Sequence, residues 1–125
     1  MTPTRILLNP ARNQLTLEYP GGVQFQLSAE YLRVSSPSAE VRGHGNQTPV
    51  LQYGKRLVSI EKIAKSGNYA LQLTFSDGHD SGIYSWEYLH HLGQNQTANW
   101  EAYLQRLHNE GKSRDGDVQV VRLFE

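Results

Sequence analysis

The chain has 125 residues, with 12 Lys and Arg balanced by 12 Asp and Glu, five His and no Cys. That length suits one domain with its own core, and the balanced charge gives no overall pull toward nucleic acid. Without cysteine there is no disulfide, thiolate metal site, cluster ligand or cysteine nucleophile. With no signal pattern over residues 1–10 and no membrane-length apolar run, a cytoplasmic protein with no membrane partner is expected.

Arg5-Ile6-Leu7-Leu8 is a short apolar run ended by the turn pair Asn9-Pro10. Leu15 to Tyr19 is rich in strand formers, and Val23 to Leu27 alternates apolar and polar at period two. Pro20-Gly21-Gly22 between them predicts a tight turn, hence a first β-hairpin. Ser28 caps one or two helical turns over residues 28–33, with Glu30 at the favourable end of the helix dipole. Residues 43–56 read as a loop.

Val58 to Ile63 is the next expected strand. Ser66-Gly67-Asn68 turns it into Tyr69 to Phe75, where Tyr69, Leu71, Leu73 and Phe75 alternate, a second hairpin. Ser85 caps a short helix over Trp86 to Leu92, with Gly93 as its C-terminal cap. Thr97 caps a longer helix whose Trp100, Tyr103, Leu104 and Leu107 form one apolar stripe ending at Gly111. The fold expected is α+β: one compact domain over residues 1–110, with a mainly antiparallel β-sheet and a short and a longer helix packed to one side. Residues 111–125 are then a polar linker followed by an apolar tail or last strand over 118–124.

Two segments depart from core periodicity. The first runs from Leu32 through Arg33, Ser36, Ser38, Glu40, Arg42 and His44 to Gly45. The second is Ser76-Asp77-Gly78-His79-Asp80-Ser81-Gly82-Ile83-Tyr84-Ser85-Trp86-Glu87-Tyr88-Leu89. Asp77, His79 and Asp80 on a turn at a strand end could face a metal, given a second histidine from His44, His90 or His91. The alternative is a turn built by Asp77 and Gly78 with His79 bonded locally. Tyr84, Trp86 and Tyr88 are either a docking patch or packing between sheet and helix, and packing is favoured. Ser36, Ser38, Ser76, Ser81 and Ser85 offer hydroxyls, yet no nucleophile-elbow or phosphate-loop pattern accompanies them. Arg33 and Arg42 read as solvated arginines or as an anion site. Charge is also segregated: residues 33–65 hold six Lys and Arg against two Glu, whereas residues 66–105 hold four acidic residues and no Lys or Arg. Local neutralisation between these halves is favoured over a bipolar docking surface.

Both segments resemble the small domain at the N-terminus of gamma-butyrobetaine hydroxylase and trimethyllysine hydroxylase, and more closely its short bacterial form, DUF971. The likeness spans about residues 5–107. It implies a compact β-rich α+β domain. In the hydroxylases it also implies a zinc held by three cysteines and the Asp-Gly-His histidine. His79 matches that histidine, while the cysteine positions fall near Ser36, Ser38 and Val41, so zinc is possible only without its thiolates and no other cofactor is expected. The oxygenase chemistry of those enzymes lies in a separate domain, so a non-enzymatic module is expected. Fusion of similar segments to P-loop iron–sulfur carrier ATPases implies a protein partner of that kind. The docking face expected comprises Arg33, Ser36, Ser38, Glu40, Arg42, His44, Asp77, His79, Ser81, Tyr84 and Trp86, with a metal-binding accessory domain as the alternative.

Overall fold

The computed structural model describes residues 1–42, 48–116 and 123. His44, and with it the expected loop's first residues 43–47, lies outside the described residues, as does the expected last strand apart from Leu123. Among the described residues the fold is α+β, with two antiparallel three-stranded sheets and four α-helices in one compact unit.

The first sheet has the order β1 (Arg5–Leu8), β2 (Gln14–Glu18), β3 (Gln24–Ser28). Its inward positions, Leu15, Leu17 and Leu27, are fully buried, as the period-two pattern requires. The turn expected at Pro20–Gly22 forms as a 3₁₀ turn, with Gly21 in the left-handed region that glycine adopts at little cost. The second sheet has the order β4 (Ile60–Ser66), β5 (Ala70–Phe75), β6 (Gly82–Ser85). Leu71, Leu73 and Phe75 point into the core, whereas Tyr69 precedes the strand and is exposed.

The sequence gives no sign that the strands fall into two sheets. Arg12 joins them: its backbone carbonyl accepts from Ile60 N–H at 2.8 Å. Its guanidinium donates to the carbonyls of Ile60 at 2.8 Å and Glu61 at 2.5 Å.

Helix α1 (Ala29–Val34) starts where expected, Ser28 Oγ accepting from Tyr31 N–H at 2.9 Å. A single-turn helix, α2 (Ala39–Arg42), follows. Two expected caps are corrected. Helix α3 (Trp86–Gln94) is capped by Ser85 as expected but runs through Gly93. A Cβ at Gly93 would sit 2.3 Å from Cδ2 of Phe25, so this glycine serves close approach of α3 to β3 and not helix termination. Helix α4 (Gln96–Glu110) starts after Asn95, not at Thr97, and ends at left-handed Gly111 as expected. Leu89 and Leu92 of α3 and Leu107 of α4 are buried, and Trp100 packs on the main core. Tyr31 ties this layer down: its hydroxyl donates to the carbonyl of Leu92 at 2.8 Å and accepts from Asn99 at 3.0 Å.

The segment read as a linker is held in place at its start. Gly54 and Arg56 N–H donate to the carbonyls of Ser113 and Arg114. Arg114 pairs through two nitrogens with buried Glu30, at 2.8 and 2.6 Å, and lies over the Trp100 ring.

Candidate functional site

The two non-periodic segments meet. The joint between α1 and α2 packs against the turn from β5 to β6, and His79 is the hinge pin between them. Ser36 Oγ lies 2.8 Å and Ser38 Oγ 3.4 Å from His79 Nε2. Ser38 N–H donates to Ser36 Oγ at 3.3 Å. On the other side of the ring, Nδ1 faces Glu40 Oε2 at 3.7 Å. Gly82 makes room: a Cβ there would lie 2.7 Å from Ser36 Oγ.

Asp77 anchors the turn from below. Its Oδ1 accepts from His79 N–H at 3.1 Å, while Oδ2 accepts from Arg33 Nε at 2.9 Å and Lys55 Nζ at 2.6 Å. Arg33 spends another donor on Gln52 at 3.0 Å. Burial alone would raise the Asp77 pKa, but Lys55, the His79 N–H and Arg33 outweigh it and bring it down to about 2. His79 moves down as well, first through burial and next through the Arg33 charge, so the neutral imidazole is favoured. Arg33 and Lys55 come from the basic stretch of the sequence and Asp77 from the acidic one, so the charge segregation resolves locally here.

Arg33 is therefore neither a solvated arginine nor an open anion site; its side chain is 8% exposed and already paired. Tyr84 cannot be part of a docking face, because it is fully buried, with its hydroxyl donating to the Leu32 carbonyl. Ser36, Ser38 and His79 are buried too. Trp86 sits at the edge of the core and donates its indole N–H to the Asn68 carbonyl at 2.8 Å. Glu40, Arg42 and Ser81 are exposed, and Ser81 Oγ donates to Glu40 at 3.2 Å, bringing α2 and the β5–β6 turn side by side.

The serine, histidine and glutamate stand in the order of a nucleophile, base and orienting acid. No nucleophile-elbow pattern accompanies them in the sequence. Ser36 also has no exposed surface, and 3.7 Å from Nδ1 to Glu40 exceeds a hydrogen bond.

The donor set does not fit the zinc of the resemblance. Two neutral hydroxyls and one imidazole lack the soft, charged sulfur such a site uses, and they are already hydrogen-bonded to each other. No second histidine joins His79 among the described residues: His90 packs against Tyr19 and Phe25, and His91 binds Asn95 and stacks on Tyr88. Among those residues no group of three or more His, Cys, Asp and Glu is placed to hold a metal.

A family model described as gamma-butyrobetaine hydroxylase-like, N-terminal, matches residues 6–90. The chain belongs to this family. The gamma-butyrobetaine hydroxylase-like domain is also similar to a protein solved by NMR in solution, at 49% identity and TM-score 0.84, over 99% of this chain and 98% of that one. A second solution structure shares 45% identity at TM-score 0.78, over 99% and 92% of the two chains. A crystal structure of a DUF971-family protein of unknown function from Acidithiobacillus ferrooxidans shares 34% identity at TM-score 0.61, over 74% of this chain and 92% of that one. No curated protein matches the chain. No helix among the described residues is long and apolar enough to cross a membrane.

Proposed function

We propose that this gamma-butyrobetaine hydroxylase-like domain is a non-catalytic accessory module that docks on a protein partner. One observation supports the reading: each motif divides into a sealed half and an exposed half. The groups that could do chemistry, Ser36, His79 and Tyr84, are buried and hydrogen-bonded to one another or to backbone. Glu40 and Arg42 of α2 and Asp80, Ser81 and Ile83 of the neighbouring turn and strand are exposed. The motifs thus build a rigid mount that presents a mixed-charge surface with an apolar centre at Ile83, as suits a small protein interface. The family resemblance points to a P-loop iron–sulfur carrier ATPase as that partner, with this cysteine-free chain docking and not holding a cluster.

Titrating the isotope-labelled chain with such a purified ATPase tests this by NMR. Saturable shifts should concentrate at residues 40–42 and 80–83. Charge reversal by Glu40→Arg with Arg42→Glu should then weaken binding about tenfold or more, since like charges placed across an interface repel. Absent or scattered shifts would overturn the reading.

A zinc-holding accessory role is the alternative, and the neutral Ser36, Ser38 and His79 donors weigh against it. A saturable micromolar shift of the His79 ring on zinc titration would favour it over docking.

A further inference from the structure

A groove of about 470 Å³ opens beside the motif knot, between the α1–α2 joint, the strap 49–52 and helices α3 and α4. That size lies within the roughly 300–1,000 Å³ typical of small-molecule sites. Val41, Val50, Leu92 and the rings of Tyr88 and Tyr103 form much of its wall. Arg42, His91 and Arg106 also line it, and no Asp or Glu among the described residues does. In a chain of zero net charge, that is a one-sided distribution.

The donors have spare capacity. Arg42 is exposed, sits over the Tyr88 ring at 5.8 Å and has no carboxylate partner among the described residues. Arg106 gives only its Nε to Glu110, at 2.7 Å, which leaves its Nη groups without a partner among those residues. His91 Nδ1 lies 3.2 Å from the Asn95 amide nitrogen, a donor, so the ring proton falls on Nε2, a further N–H. The two tyrosine hydroxyls do not compete for a ligand, since Tyr88 donates to the Ser35 carbonyl at 2.6 Å and Tyr103 to the Gln52 carbonyl at 2.8 Å. Their rings are left as apolar, stackable surface.

We propose that this groove binds a small organic carboxylate, its anionic group held by Arg42 and Arg106 and its apolar body laid against Val41, Val50 and Tyr88. The pairing of forked guanidinium donors with aromatic and aliphatic walls matches a planar carboxylate on a ring or short chain better than a bare phosphate. The groove shares Arg42 with the proposed docking face, and Arg106, which lines only the groove, tells the two apart.

The test uses the full chain and three probes: benzoate, its neutral analogue benzamide, and inorganic phosphate, each followed by NMR shifts. Benzoate should give saturable shifts at Val41, Val50, Tyr88 and His91. Benzamide should bind far more weakly, and phosphate should not reproduce the shifts at Val41 and Val50. Arg42→Gln and Arg106→Gln, each keeping the spectrum of the folded protein, should each weaken benzoate about tenfold, the effect expected for one charged hydrogen-bond partner. No saturation by benzoate, equal binding of benzamide, equal shifts with phosphate, or indifference to both substitutions would overturn the proposal.

Discussion

Asp77 offers the sharpest test of how the motif knot is held. One carboxylate there neutralises Arg33 and Lys55 and fixes the turn through the His79 N–H. In Asp77→Asn the shape is kept, but the Arg33 guanidinium, 8% exposed, is left with only Gln52 as a close partner among the described residues. Breaking a largely buried pair in this way costs about 3 kcal/mol. The pH dependence gives an independent figure. The Asp77 pKa drops from 3.8 to about 2, and a shift of that size is worth about 2 kcal/mol. Because the folded pKa is depressed, this stability is present above the unfolded value near 3.8 and is lost as the pH falls through about 2. Urea unfolding of both proteins at a series of pH values reads it out. The variant should be about 3 kcal/mol less stable at pH 7, and the gap should narrow by about 2 kcal/mol on going to pH 2. Taking the difference between the two proteins cancels the other carboxylates. A neutral variant at pH 7, or a gap that stays constant with pH, would refute the argument that Asp77 is the counter-charge on which the knot rests.

Three further outcomes follow from the same geometry. Gly93→Ala would press a Cβ to 2.3 Å from the Phe25 ring and should cost about 2 kcal/mol, read as a lowered thermal midpoint. His79 is held neutral, so the stability it contributes is full above its ordinary value of 6.5 and declines as the pH falls below that. His79→Asn should therefore be most destabilising at pH 8 and progressively less so toward pH 5, measured by urea midpoints. Arg114→Ala leaves Glu30, 6% exposed, with its counter-ion gone; a loss of about 3 kcal/mol is expected, with a change in Trp100 fluorescence as the guanidinium leaves its ring.

The hairpins were legible because Leu15 with Leu17, and Leu71 with Leu73 and Phe75, keep strict period two where one face is buried. The missed elements, β6 and α2, have four residues each, too few for either period to show. The motif residues read as one docking face divide in the fold: Arg33, Ser36, Ser38, His79 and Tyr84 are buried, whereas Glu40, Arg42, Asp77 and Ser81 are exposed. The reason is sequence distance. Arg33 meets Asp77 across 44 positions and Arg114 meets Glu30 across 84, and no local pattern encodes such pairs. The segregation of charge was the one long-range signal, and two of its groups, Arg33 and Lys55 of the basic stretch, meet Asp77 of the acidic one. The C-terminal helix boundaries failed for a related reason. Gly93 looks like a stop signal until Phe25, 68 positions away and on another element, shows what the missing Cβ is for.

The knot also bears on sites it does not itself form. Helix α2 is a single turn, far below the length at which a helix holds itself together in water. Its position depends on what fastens it: Ser36 and Ser38 to His79 before it, Ser81 to Glu40 within it, and Val50 N–H to the Val41 carbonyl at 2.7 Å. Glu40 and Arg42 of this one turn belong to the proposed docking face, while Val41 and Arg42 line the groove. A change at buried His79 would therefore move both surfaces without touching either. It should weaken partner and carboxylate together, whereas Arg106→Gln should weaken only the carboxylate. Coupling of that kind would explain why two polar, glycine-bearing segments occupy buried positions that aliphatic side chains would fill at lower desolvation cost: the hydrogen bonds fix one geometry for α2, where apolar packing would tolerate several.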